Sequence, residues 1–311
     1  MKPNDQTYKE NETKRKYMST PNGYVVINET RASRRKKDSG LSFLKTPKHI
    51  VLAALVILLL LAQLTSGAHA GFINTIVAIA TASILDIGAA LFQKRKISIP
   101  EGGIITGIII AVVLSPMNSW SITALTTIIA ILSKHLFRFK KKPIFNPATF
   151  GLFIIGTVLA SPQSWWGGMS LLPWWCILFL LIIGYWVTQK VNKFPQVFSF
   201  LGSYFLFILV LAFMQVGTVG DLLRVPYINS ALFLAFFMLT DPPTSPAKNK
   251  DQVMFGILTA LCSVAAYFVV GGLTFLLVGL LLANGWKAWK SLKPVKETKH
   301  STKQSRTANA H

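Results

Sequence analysis

Few side chains in this 311-residue sequence can do chemistry, and most of those that can stand within or beside long apolar runs. Asp86 lies about two-thirds along the run 72–92. An acid inside an apolar span is costly enough to mark a functional position by default. It reads as part of an ion or proton pathway, or as a carboxylate paired with Lys94 or Arg95 about two helical turns on, or with interfacial water. Asp241 falls in Met238-Leu239-Thr240-Asp241-Pro242-Pro243-Thr244-Ser245-Pro246, where the prolines cannot continue a helix and restrict the residue before them. Phe145-Asn146-Pro147-Ala148-Thr149-Phe150-Gly151 reads as an N-cap asparagine with proline at the first helical position. From the residues alone, both segments are helix boundaries. His49 and His135 sit at run ends and read as interfacial. Cys176 and Cys262 fall in apolar runs with no CxxC or Cys/His spacing, which leaves no basis for a disulfide framework, a zinc site or iron–sulfur ligands. No nucleophile stands beside a base, and neither a P-loop nor a dinucleotide-binding glycine motif occurs.

These residues are carried by elements that suit a bilayer. The chain is 52% apolar and 14% charged, against about 25% charged in soluble domains. Runs of uncharged apolar residues recur from His49 to Trp286, and about 20 such residues cross a bilayer as a helix. Helices satisfy every backbone N–H and C=O within the segment, and the alternation of a β-barrel is missing. The expected fold is an all-α integral membrane protein of about ten transmembrane helices, near 49–65, 72–92, 103–115, 120–136, 147–160, 171–189, 195–215, 228–240, 253–270 and 272–286. A basic tail over 1–48, expected to be disordered, precedes the membrane domain 49–290, and a second basic tail covers 291–311. Ala68-His69-Ala70 resembles a signal-peptidase site, but the leader before the first run is far longer than that of a secretory signal.

Charge orients the spans. Of the 32 Lys and Arg residues, all but Arg224 fall in the tails and in alternate loops. The positive-inside bias makes that side cytoplasmic, with both termini there, in a multi-pass protein of the plasma membrane. An odd number of spans would separate the two basic tails. The net charge of +21 therefore points to anionic lipid at the tails, at about 1 kcal/mol per basic residue near the surface, and away from nucleic acid. Trp165, Trp166, Trp174 and Trp175 flank the fifth and sixth runs on the other side and read as an interfacial aromatic belt.

Two runs are shorter than the rest. One opens at Pro100-Glu101-Gly102-Gly103 and closes at Ser115-Pro116; the other opens at Pro226-Tyr227-Ile228-Asn229-Ser230 and closes at Thr240-Asp241-Pro242. Proline to proline is 16 residues in both. They are the third and eighth of ten, which divides the membrane domain into two inverted five-helix repeats, about 49–165 and 171–290. Short segments bounded by Gly and Pro at matching places in inverted halves point to a central binding site. Their helix ends leave N–H groups and dipoles able to hold an anionic or electron-rich ligand.

Several segments together resemble the NqrB/RnfD family of membrane subunits, from sodium-pumping quinone reductases and Rnf electron-transport complexes. They are Thr46-Pro47-Lys48-His49, Gly102-Gly103-Ile104-Ile105-Thr106-Gly107, Ile144-Phe145-Asn146-Pro147-Ala148-Thr149-Phe150-Gly151 and Phe236-Phe237-Met238-Leu239-Thr240-Asp241-Pro242. The resemblance covers roughly 45–290, in the same order and on the same plan of ten spans in two repeats.

What the resemblance implies is electron transport through flavin, alongside other membrane or soluble redox subunits and coupled in the larger complexes to ion movement. It implies that Asn146, Pro147, Thr149, Thr240 and Asp241, with Thr106 and Gly107 of the third run, line or brace a flavin or substrate site. Members with covalent FMN attach it to a threonine in an Asp/Ser-Gly-Ala-Thr motif after the fifth span. Here that loop reads Ser161-Pro162-Gln163-Ser164-Trp165-Trp166-Gly167-Gly168-Met169-Ser170 and has no such threonine. The chain thus resembles the short branch that lacks the motif, and the expected cofactor is FMN or riboflavin held noncovalently. A small-solute or ion channel or transporter on the same inverted-repeat scaffold, without a redox cofactor, remains the alternative.

Overall fold

The computed structural model describes residues 16–20, 23–27, 46–66, 69–94, 99–140, 142–169, 172 and 174–292. The chain divides into two units, Met1–Phe43 and Leu44–His311. In the first, where no regular structure was expected, β1 (Lys16–Thr20) pairs antiparallel with β2 (Gly23–Ile27). The β-branched Val25, Val26 and Ile27 favour extended chain. Arg95, Lys96 and the tail from Lys293, to which basic roles were assigned, lie outside the described residues, as does most of the leader.

The second unit contains ten α-helices among the described residues: α1 (Pro47–Ser66), α2 (His69–Phe92), α3 (Glu101–Val113), α4 (Trp120–Leu136), α5 (Pro147–Val158), α6 (Ile177–Val191), α7 (Phe194–Phe213), α8 (Val225–Phe233), α9 (Asn249–Val270) and α10 (Thr274–Leu292). Every expected run falls on one of them. A π-turn, Leu234–Met238, extends α8, so the eighth element is wider in its last turn than the apolar pattern indicates. Strands β3 (Arg138–Phe139) and β4 (Lys142–Pro143) close the hairpin between α4 and α5. Gly71–Phe92, Trp174–Val191, Phe194–Phe213 and Asn249–Val270 are long and apolar enough to cross a membrane. Pro47–Gln63, Glu101–Val113, Trp120–Leu136, Pro147–Val158 and Val225–Met238 are apolar but shorter.

The helical unit has an apolar core and an apolar outer surface as well. Leu60, Ile84, Leu132, Ile182, Phe198, Leu206, Leu261 and Leu282 face outward, whereas Thr123, Thr126, Thr127, Thr259 and Ser263 are buried. Three of the threonines satisfy themselves locally: Thr126 Oγ1 donates to Ile122 O, Thr127 to Thr123 O and Thr259 to Phe255 O. Such i−4 bonds let a hydroxyl enter an apolar interior without an orphaned donor. With little hydrophobic drive between helices in lipid, small residues and close packing hold the bundle together.

Helix direction follows from which ends meet. His49 at the start of α1 meets Glu101 at the start of α3, and Asp86 late in α2 meets Lys134 late in α4. Asn146 before α5 meets Asn284 late in α10, and Gln252 at the start of α9 meets Asn192 just after α6. At the other end, Asn74 early in α2 donates to Pro116 O and Asn118 O, between α3 and α4. Odd-numbered helices therefore begin, and even-numbered ones end, on the side where the basic residues collect.

Three pairings made in the first five helices recur in the last five, whereas the packing of α3 on α2, α4 and α5 has no equal around α8. Helix α1 packs on α3 as α6 does on α8, α2 on α4 as α7 on α9, and α4 on α5 as α9 on α10. Across the halves, α1 meets α6 and α5 meets α10. The correspondence reaches single residues. A Cβ on Gly151 of α5 would lie 2.6 Å from Thr126 O and 2.9 Å from Ala130 Cβ in α4. One on Gly279 of α10 would lie 2.7 Å from Thr259 O and 2.8 Å from Ser263 N in α9. In both halves a glycine lets the last helix touch the backbone of the fourth across an i, i+4 pair. Gly151→Ala and Gly279→Ala should each lower stability by about 1–3 kcal/mol, the usual cost of overpacking. Thermal unfolding in detergent measures this, with Gly202→Ala, which meets nothing within 4 Å, as the neutral comparison.

Candidate functional site

A cavity of about 970 Å³ opens at the basic end of the helical unit. It lies among the start of α1, the end of α2, the start of α3, the end of α4, the start of α5 and the segment that follows α8. Its inner wall is apolar, with Ile105, Ile109, Ala148 and Phe237, and its rim carries Lys48, Gln93, Glu101, Arg138 and Lys142.

Asp86 is bound on one wall. Lys134 Nζ donates to its Oδ1 at 2.8 Å and its Oδ2 at 2.5 Å, and His135 Nε2 lies 3.1 Å from Oδ1. Arg138 Nη2 is 2.6 Å from His135 Nδ1, and its Nε donates to Lys134 O at 2.8 Å. A guanidinium can only donate, so Nδ1 accepts, and the neutral ring carries its proton on Nε2, facing the carboxylate. The side-by-side packing of α2 and α4 thus gives Asp86 a partner from another helix, in place of Lys94, which is exposed. Gly103 makes room for the group: a Cβ there would stand 2.7 Å from Asp86 Oδ2. His49 Nε2 lies 2.7 Å from Glu101 Oε1 on the facing wall. Both histidines read as interfacial are therefore in side-chain networks.

A second constellation braces the segment after α8. The N-cap expected at Asn146 forms, with Oδ1 accepting from Thr149 N at 3.1 Å and Pro147 opening α5. Asn146 Nδ2 also donates to Met238 O at 3.3 Å, while its own N–H donates to Asn284 Oδ1 at 2.9 Å. Gln196 Nε2 donates to Leu239 O at 2.6 Å, Lys287 Nζ to Pro243 O at 2.6 Å and Asn284 Nδ2 to Thr244 O at 3.2 Å. Lys193 Nζ donates to Pro246 O and Gln252 Nε2 to Ala247 O. Six side chains from α5, α7, α9, α10 and the α6–α7 turn thus hold one stretch of backbone. Asp241, partly buried on the cavity wall, accepts from Thr244 Oγ1 at 2.7 Å. Desolvation pushes its carboxyl above the usual range, against the opposing pull of that hydroxyl and of Lys287.

Of the residues singled out from sequence, Asp86, Thr106, Asn146, Pro147, Thr240 and Asp241 line this one cavity. Thr149 is buried beneath it as the partner of the Asn146 cap. Gly107 packs α3 on α2 instead, since a Cβ there would stand 2.9 Å from Ala78 O. The hydroxyls of Thr106 and Thr240 donate back to Gly102 O and Phe236 O. The sequence reading did not find Lys134, Arg138, Gln196, Lys193 or Asn284. The one signal for them was polarity: Gln196 and Asn284 are amides in otherwise apolar helices.

The aromatic belt is corrected in part. Trp174 and Trp175 are exposed as expected, but Trp165 and Trp166 are buried. Their loop turns into the bundle: Ser164 N and Trp165 N donate to Val113 O, and Trp166 Nε1 donates to Ala111 O at 2.9 Å. Trp165 and Met169 reach this path through left-handed φ of 49° and 59°. The two rings fill the space between the end of α3 and α8, with Trp165 edge-on to Phe233.

Outward-facing Leu, Ile and Phe around an apolar interior that also buries Thr, Ser and Asn side chains, with ionisable groups gathered at one end, define a multi-pass helical membrane protein. The model of the NQR2, RnfD, RnfE family matches residues 42–169 and again residues 158–285, so the chain belongs to that family and the resemblance read from its motifs holds. Among curated proteins none matches the chain.

Lys193, between α6 and α7, tests how the brace responds to pH. Burial is the main cause that lowers its pKa from 10.5 to about 8, Lys287 adds to this and Asp241 opposes it. The folded state thus sheds the proton first, and the unfolded chain keeps it up to 10.5. Stability should rise with pH between about 8 and 10.5, by on the order of 1–3 kcal/mol. Lys193→Met should remove that rise, as followed by thermal unfolding across the window.

Proposed function

We propose that this protein is the membrane subunit of an Rnf/Nqr-type electron-transport complex and holds a flavin noncovalently in the cavity at its basic end. In this reading all ten helices span the plasma membrane as two inverted five-helix repeats, with the basic end and both termini cytoplasmic. Other membrane or soluble redox subunits deliver and remove electrons, and Asp86 serves an ion or proton pathway. The observation that carries the reading is that six residues singled out from the sequence, from α2, α3, the start of α5 and the segment after α8, line a single cavity in a chain of this family.

The residues fit the group. Ligand pockets of about 300–1,000 Å³ with apolar walls and a few placed polar groups suit a molecule of flavin size. Ile105, Ile109 and Phe237 offer apolar surface to a planar ring system, and Asp241 and Thr106 stand among them. Flavin would supply one- and two-electron transfer. The chain's own part is to bind and orient the ring, to keep water from its inner face, and to hold charge at Asp86, Lys134 and Asp241. The Asn146 and Gln196 amides fix the wall by tying down the carbonyls of Met238 and Leu239.

Protein purified in mild detergent should show the visible flavin absorption, and that colour should leave on denaturation and washing. Thr106→Phe, which projects bulk from a buried wall position, should lower bound flavin by roughly an order of magnitude while the protein stays monodisperse. Asp241→Asn should lower it as well. A colourless wild-type preparation that moves solutes or ions in liposomes would replace this reading with a channel or transporter.

A further inference from the structure

Most polar side chains on the cavity wall already have their partners within the protein. Thr106 and Thr240 donate back to Gly102 O and Phe236 O, and the Asn146 amide serves Thr149 N and Met238 O. Asp86 is engaged by Lys134 through both oxygens. Asp241 differs. Its Oδ2 accepts from Thr244 Oγ1 at 2.7 Å, while Oδ1 accepts no hydrogen bond and is not sealed from the cavity that the residue lines. Three ammonium groups surround this carboxyl, and each donates elsewhere: Lys134 of α4 to Asp86, Lys193 of the α6–α7 turn to Pro246 O and Lys287 of α10 to Pro243 O. Lys142 of β4 stands in turn near Lys287.

Two influences on Asp241 oppose each other. Burial favours the protonated carboxyl, whereas the Thr244 hydroxyl and the three lysines favour the carboxylate. A donor supplied by a ligand at Oδ1 would tip this balance, because a hydrogen bond to the charged form favours that form. The matching group is an uncharged N–H: a cation would meet the three lysines, and an anion would meet the carboxylate. A flavin ring carries such a group in its imide, at the polar end of an otherwise flat and largely apolar body. We propose that Asp241 Oδ1 accepts a hydrogen bond from the imide N–H of the bound flavin, so that binding ionises Asp241 and releases its proton to water. The contact rests on the flavin reading above and adds to it the group that orients the ring. In this step the O–H bond of Asp241 breaks, the proton passes to solvent and the flavin keeps its own N–H. Hydrogen bonds to a charged acceptor are about twice as strong as neutral ones, so the ionised residue holds the ring more tightly.

The test uses detergent-purified protein stripped of bound flavin. It is titrated with riboflavin and with 3-methylriboflavin, whose imide carries a methyl group in place of hydrogen, and quenching of flavin fluorescence is followed. The pH is varied from about 5 to about 9, above the ordinary carboxylate range. Riboflavin should bind about tenfold more tightly at the upper end, the size expected of one charge-assisted hydrogen bond, with proton release seen by an indicator in weak buffer. 3-Methylriboflavin should show no such rise, so the ratio of the two affinities should grow with pH. Asp241→Asn should abolish both the rise and the growth of the ratio. Lys193, with a pKa of about 8, titrates in the same window, so a rise that survives Asp241→Asn belongs elsewhere and overturns the proposal. Thr244→Val removes the hydroxyl that favours the carboxylate and should move the riboflavin rise to higher pH. The wild-type ratio decides the matter even if Asp241→Asn fails to fold. A riboflavin affinity that is flat with pH, or a ratio that is the same at every pH, would overturn the contact and leave the flavin reading standing. If riboflavin binds at no pH, both fall.

Discussion

The carbonyls of Met238 and Leu239 impose the constraint on which the site depends. An element that stops short inside a bundle leaves its last C=O groups without helical partners, and in a water-poor interior each such group is costly. The π-turn at Leu234–Met238 widens the end of the eighth element, and side-chain amides meet it from two directions, Asn146 from α5 and Gln196 from α7. The loop that follows is handled in the same way, by Lys287, Asn284, Lys193 and Gln252. The stretch carrying Thr240 and Asp241 is therefore rigid because its backbone is held from α5, α7, α9, α10 and the α6–α7 turn. A wall held in this way can keep a carboxylate partly desolvated without collapsing onto it.

The recurrence of helix pairings gives this arrangement its asymmetry. Two halves with matching contacts offer two similar spaces, one at each end of the bundle. The first half leaves its space open at the basic end, between Asp86, Thr106 and Asn146. Around the far ends of α8, α9 and α10, rings occupy the corresponding region: Tyr227 lies edge-on to Tyr267 at 6.4 Å, and Phe275 lies within 6.5 Å of Tyr204, Tyr227 and Tyr267. Trp165 and Trp166 fill the ground between the two short helices. A scaffold with repeated pairings but unequal filling thus leaves a large cavity at its basic end.

The sequence disclosed the helices because lipid imposes length and polarity together, so each apolar run had one reading. It disclosed the Asn146 cap and the stop at Asp241 because proline and asparagine act locally. It hid the partners of those residues because they depend on helix packing. Asp86 pairs with Lys134, 48 residues away, and not with Lys94, because α4 lies against α2 at that level. Trp165 and Trp166 misled for a related reason: a tryptophan pair at a run end suits an interface, and only the inward turn of the loop, made through left-handed residues, buries them. Gln196 and Asn284 were visible as amides out of place in apolar helices, yet nothing in their spacing says which carbonyls they serve.

The Asp86–Lys134 pair and the rim cations divide the cavity electrically. A carboxylate and an ammonium in bidentate contact nearly cancel, so their field fades within a few ångströms. Charges on the rim are screened by salt on the solvent side but much less towards the apolar interior. A partly buried pair of this kind is a modest source of stability, because desolvation offsets much of its attraction. Its value here is positional: each partner holds the other's side chain on the cavity wall. Removing either partner would leave the other unbalanced on that wall.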